Sequence, residues 1–131
     1  MSCISTITIG VRDLRRSERF YAEGFGFTTT RDHHGVIYVG DAETRLALYA
    51  RESLEAYTGC ELAADWRPPA VVLSHNVSSA TQVDILCAKL TTAGGRLRRP
   101  AGPVFWGGYI AWVSDPDGVL WELVFNPKRP A

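Results

Sequence analysis

The stretch YIAWVSDPDGVLWELVF, residues 109–125, carries the most decisive pattern in the chain. Two apolar runs of strand length flank Asp115-Pro116-Asp117-Gly118. In that tetrapeptide proline fixes one φ and glycine supplies a conformation that other residues avoid. The pattern predicts a β-hairpin built from strands over 109–114 and 119–125. Alternation along the second strand sets Trp121 and Leu123 on one face and Leu120, Glu122 and Val124 on the other. Glu122 therefore stands on an otherwise apolar wall, where a carboxylate needs a hydrogen-bonding partner.

Working back from the hairpin, residues 96–99 read as another strand, and Gly94-Gly95 ends the helix before it. Ser79 with Gln82 three residues on is a capping box for that helix, which runs to about residue 93. Val83, Leu86, Cys87 and Leu90 form its buried stripe. Residues 70–77 alternate as a strand, with Val71, Leu73, His75 and Val77 facing the helix and Val72, Ser74 and Asn76 facing away. The same order occurs earlier in the chain. Residues 4–11 alternate with Ile7, Ile9 and Val11 against Thr6, Thr8 and Gly10. Asp13 caps a helix over 14–22, Gly24 and Gly26 stop it, and strands follow over 27–30, 36–39 and 45–50. Turns at 32–35 and 40–43 separate them. Val11 to Val77 and Asp13 to Ser79 are both 66 positions apart, about half of the 131 residues. One such unit leaves a sheet face uncovered, which a second copy can shelter. Residues 51–69 link the halves, starting with a short helix over 52–58 and ending at Pro68-Pro69.

Composition narrows the class. The chain is 46% apolar and balances 14 Lys+Arg against 14 Asp+Glu. This excludes a disordered chain, and zero net charge argues against a dedicated nucleic-acid binder, which usually carries a basic stripe. No apolar run reaches the roughly 18 residues of a membrane span. Cys3, Cys60 and Cys87 are odd in number and far apart, as expected for reduced thiols. With no basic leader ahead of an apolar stretch, the expectation is a cytoplasmic protein without membrane or nucleic-acid partners.

Three stretches carry a resemblance. They are Gly10-Val11-Arg12-Asp13-Leu14 with Ser17-Glu18-Arg19-Phe20-Tyr21 and Gly24-Phe25-Gly26-Phe27; then Leu73-Ser74-His75-Asn76-Val77; then Trp106-Gly107-Gly108-Tyr109, Asp115-Pro116-Asp117-Gly118, Leu120-Trp121-Glu122-Leu123 and Asn126-Pro127. Together they resemble the vicinal oxygen chelate superfamily, which holds glyoxalase I, extradiol dioxygenases, fosfomycin-resistance enzymes and bleomycin-resistance proteins. The last stretch is similar to a glyoxalase-like branch. The resemblance implies an α+β fold: two tandem βαβββ modules, residues 3–50 and 70–127, as one domain over 1–131. Their mixed sheets would curl around a concave pocket. It also implies a homodimer.

In the superfamily's metalloenzymes a divalent ion is held by inward side chains from the first and last strands of each module. The resemblance places those positions at Thr6, Ala47, Val72 and Glu122. Glu122 alone carries a competent ligand, since imidazoles and carboxylates are what such ions need. No metal or other cofactor is therefore expected. His33 and His34 sit in a polar turn, and His75 faces the helix. Strand parity turns Thr8, Arg45, Tyr49, Ser74 and Asn76 inward beside Glu122. Trp106 and Tyr109 flank Gly107-Gly108, which reads either as a lid over a flat ligand or as an ordinary turn. Arg96, Arg98 and Arg99 form a basic cluster with no assigned role.

Two functions fit these residues. One is a metal-free protein that binds a small apolar or aromatic molecule, oriented by Asn76, Arg45 or Glu122. The other is a glyoxalase-like lyase or isomerase, or a dioxygenase-type enzyme, with Glu122 as catalytic base or partial metal ligand.

Overall fold

The computed structural model describes residues 2–62 and 70–131. The chain divides between residues 65 and 66 into two compact units. Each unit holds one four-stranded mixed sheet, as the duplicated pattern predicts.

In the first unit the order is β1 (Thr6–Val11), α1 (Leu14–Arg19), β2 (Thr29–Arg31), β3 (Ile37–Val39), β4 (Arg45–Ala50) and α2 (Arg51–Thr58). The spatial strand order is β1-β4-β3-β2, parallel at β1–β4 and antiparallel elsewhere. Asp13 caps α1 as expected, its carboxylate accepting from the Arg16 N–H at 3.0 Å. The helix then widens into a π-helical stretch, Phe20–Phe25. Gly24 sits inside that stretch and does not end it. Gly26, at φ +80°, is the stop, with the Phe27 N–H returning to the Tyr21 carbonyl at 3.1 Å. Phe20 and Tyr21 are fully buried and pack edge to face at 5.1 Å. Burying two such rings stabilises the unit by roughly 3–6 kcal/mol.

Part of the expected connector belongs to this unit. Helix α2 packs on β1 and β4, with Leu54 buried against the sheet. The Arg51 guanidinium donates to the Leu62 carbonyl at 2.6 Å and pairs with Glu55 at 3.2 Å. Leu54 and Leu62 crowd Gly10, where a side chain would meet the Leu62 methyl at 2.7 Å. The expected break at Pro68-Pro69 lies outside the described residues.

The second unit runs β5 (Val72–Asn76), α3 (Ala80–Thr92), β6 (Arg96–Pro103), β7 (Tyr109–Ser114) and β8 (Leu120–Phe125). Its order β5-β8-β7-β6 matches that of the first sheet. Ser79 caps α3, accepting from the Gln82 N–H at 3.1 Å. Val83, Leu86 and Leu90 face the sheet, while Cys87 is half-buried. Strand β6 runs four residues beyond the expected 96–99, with register shifts between Leu97 and Arg99 and again before Gly102.

The β7–β8 turn is closed by Asp115. Its carboxylate accepts from the Asp117 and Val119 N–H groups at 2.9 and 2.8 Å, and the Gly118 N–H bonds its carbonyl. The same device, Asp-x-x-Gly-Val, closes the β2–β3 turn. There Asp32 accepts from the His34 and Val36 N–H groups at 2.9 and 3.0 Å. Gly35 and Gly118 take φ of +87° and +97°, conformations that explain glycine at both sites. Cys3, Cys60 and Cys87 are free thiols. Among the described residues no helix is long and apolar enough to cross a membrane.

Candidate functional site

The second sheet has one face against α3 and one free of helix. The Tyr109 hydroxyl donates to Asp84 of α3 at 2.8 Å, which fixes Tyr109, Ala111 and Val113 on the helix side. Their β8 partners Phe125, Leu123 and Trp121 share that side. The open face therefore presents Ile110, Trp112, Leu120, Glu122 and Val124. Through the parallel pairing of β5 with β8, Ser74 lies beside Glu122 and Asn76 beside Val124.

A polar row crosses this face strand by strand: Arg99 on β6, Trp112 on β7, Glu122 on β8 and Ser74 on β5. The Ser74 hydroxyl donates to Glu122 Oε1. The Arg99 guanidinium carbon lies 5.0 Å above the Trp112 ring, a cation–π contact. Ser74, Asn76 and Arg99 are exposed, while Trp112 and Glu122 are half-buried. An acid fixed by a hydroxyl, next to an aromatic face and an exposed cation, can orient a donor on a flat ligand.

The first sheet repeats the layout with other chemistry. Its corresponding row is Thr30, Tyr38, Ala47 and Thr8. Alanine stands where the second sheet carries its acid. The Arg45 guanidinium lies 4.3 Å from the Tyr38 ring centroid, again cation over ring. Tyr49 opposes Gly10 and stacks on Tyr57 of α2, with centroids 6.1 Å apart. Burial raises the Tyr49 hydroxyl pKa above its usual value, and Tyr38, Tyr57 and Asp32 add to the rise.

The expected site residues thus separate. Ser74, Asn76 and Glu122 share the helix-free face of the second sheet; Thr8, Arg45 and Tyr49 share the corresponding face of the first, one end of which α2 covers. Tyr109 is turned to the helix, and the Asp84 carboxylate raises its hydroxyl pKa, with burial adding to this. Trp106 lies across Gly108, where a Cβ would come within 2.2 Å of the indole. Bonds from the Val104 N–H to the Gly108 carbonyl and from the Gly107 N–H to the Val104 carbonyl close that loop. The glycine pair therefore serves a turn and the close approach of a ring. Sequence reasoning missed Arg99 and Trp112. His75 pairs with Leu123 on the helix side, and burial lowers its pKa below the usual imidazole value.

The metal positions implied by the resemblance do not supply a donor set. Ala47 is buried at 2% exposure, Val72 is aliphatic, and Thr6 offers a hydroxyl alone. Among the described residues no three His, Cys, Asp or Glu side chains group around a common point.

Residues 4–123 match the Glyoxalase/Bleomycin resistance protein/Dioxygenase superfamily, and the chain belongs to it. A probable lactoylglutathione lyase of Vibrio parahaemolyticus is 33% identical over 128 residues, covering 92% of this chain and 88% of that protein. A lactoylglutathione lyase of Haemophilus influenzae is 30% identical over 121 residues, covering 88% of this chain and 87% of the relative. Among solved structures, a glyoxalase-related enzyme from Fulvimarina pelagi superposes with a TM-score of 0.86 at 38% identity. That match covers 97% of this chain and 90% of the other.

Proposed function

We propose that this superfamily member binds a small, flat, partly apolar molecule on its open sheet face without a resident metal. One observation carries the reading: of the four side chains at the superfamily's metal positions, three lack a competent donor. The retained acid is held by Ser74 and flanked by Trp112 and Arg99, which suits recognition of an aromatic ligand bearing a hydrogen-bond donor. A homodimer is the assembly the resemblance implies and the cytoplasm the setting that the cysteine usage suggests; light scattering of the purified chain tests the assembly.

A lyase is the second reading. It is favoured by the names of the relatives and by the retained Glu122, which would act as base or partial ligand. Metal analysis separates the two. Purified protein is incubated with Ni²⁺, Zn²⁺, Mn²⁺ or Fe²⁺, desalted and assayed for bound ion, and wild type is compared with Glu122→Gln. The binder reading expects far less than one equivalent in either protein, no turnover of lactoylglutathione, and thermal shifts by aromatic metabolites that shrink in Glu122→Gln. A full equivalent retained by wild type and lost in the variant, with turnover, puts the lyase in its place.

A further inference from the structure

The first unit contains a cleft of about 540 Å³ that uses neither Glu122 nor the second sheet. This volume falls within the roughly 300–1,000 Å³ of small-ligand pockets. Leu14 and Val36 give it apolar surface, and its polar lining includes Asp32, His34, Tyr49, Ser53 and Tyr57. Two features of its lining bear on what it could hold. The first is Tyr57, 77% exposed, yet held with its ring plane within 5° of Tyr49. An exposed ring aligned with a second one leaves extended π surface facing solvent.

The second feature is Asp32. Its Oδ1 is pinned by the His34 and Val36 N–H groups at 2.9 and 3.0 Å. An ionised carboxylate offers about four acceptor positions, so two backbone donors do not exhaust it. Burial by itself would raise this carboxyl, but the two backbone bonds and the His34 and His33 imidazoles outweigh it and hold the pKa below its usual value. Asp32 is the one carboxylate among the cleft-lining residues, which include no lysine or arginine. Aromatic faces beside a fixed negative charge form the recognition pattern of an organic ammonium, attracted by ring quadrupoles and carboxylate together.

From the aligned Tyr49 and Tyr57 rings and the pinned Asp32 carboxylate in one cleft, we propose that this site binds an organic cation: a protonated amine or quaternary ammonium on a small apolar body. The proposal is independent of the ligand reading at Glu122. A neutral flat ring would also meet the Tyr57 face, but it would gain nothing from the carboxylate. The charge therefore decides the ligand class.

The test is a ¹H–¹⁵N NMR titration of the whole chain with choline and with 3,3-dimethylbutan-1-ol, which replaces the nitrogen by carbon. Choline should shift the amides of Gly35, Val36 and Ser53 saturably, and the alcohol should bind at least about tenfold more weakly. Asp32→Asn keeps an oxygen for the two backbone donors and removes the charge; it should weaken choline at least about fivefold. Tyr57→Ala should weaken it about threefold or more, and Tyr57→Phe should stay within about twofold, because the ring remains. Tyr57 is exposed, so both variants should keep the spectrum of the folded chain. Equal affinity for the two probes, no saturable shift at these amides, or no effect of Asp32→Asn overturns the proposal.

Discussion

Asp115 and Asp32 make the same pair of backbone bonds in two turns of one sequence pattern, but Asp115 is fully buried whereas Asp32 is partly exposed. Replacing each by alanine measures what burial adds. In Asp115→Ala the Asp117 and Val119 N–H groups lose a carboxylate acceptor inside the protein. Bonds to charged groups contribute about 1.5–3 kcal/mol each, so the loss should be about 3–6 kcal/mol. At about 3 °C per kcal/mol for a chain of this size, the melting temperature should fall by roughly 9–18 °C. In Asp32→Ala water can reach the freed amides, and the fall should be less than half as large. Parallel thermal and urea unfolding of the two variants, with the circular dichroism spectrum as a check on the fold, provides the comparison. Equal losses, or a larger loss for Asp32→Ala, would refute the argument that burial sets the difference.

Two further perturbations test the placement of side chains. Burial lowers the His75 pKa, so the unfolded chain binds the proton more readily than the folded one. Stability should therefore fall as pH drops below the ordinary imidazole value of about 6.5, and that part of the fall should be missing in His75→Gln. Urea midpoints at pH 7, 6 and 5 that decline alike in both proteins would show that His75 is not the group responsible. Tyr109→Phe removes the bond to Asp84 and should cost about 0.5–1.5 kcal/mol in urea unfolding, while ligand binding on the open face stays unchanged.

The parts of the fold that were legible in sequence are those written locally. Asp13, Ser79 and the Asp115 turn each bond to backbone within four residues, so composition and spacing reveal them. Glu122 was placed by alternation, because β8 is regular and half-buried. Arg99 was hidden for a physical reason: the register shift after Leu97 breaks the two-residue period on β6, so counting along the strand assigns no face. Trp112 sits between Ala111 and Val113, and a strand apolar on both sides gives no clue to which ring meets solvent. The side on which the Tyr109 hydroxyl bonds is not written locally, because its partner is 25 positions away on α3. The helix over 52–58 was visible as a helix, but its docking depends on Leu62 and Gly10, which periodicity does not connect.

The guanidinium groups lying on Trp112 and Tyr38 have a consequence for how a guest would enter. On each of these two rings an arginine already covers one face. A newcomer to that face must lift the arginine or slide beneath it, forfeiting about 0.5–1 kcal/mol at an exposed site. Stray aromatic solutes would be turned away by that small toll, whereas a molecule with its own anion could draw the arginine aside. Indole emission responds to such uncovering, so the part of the emission change that Trp112→Phe removes offers an intrinsic gauge of occupancy among the four tryptophans.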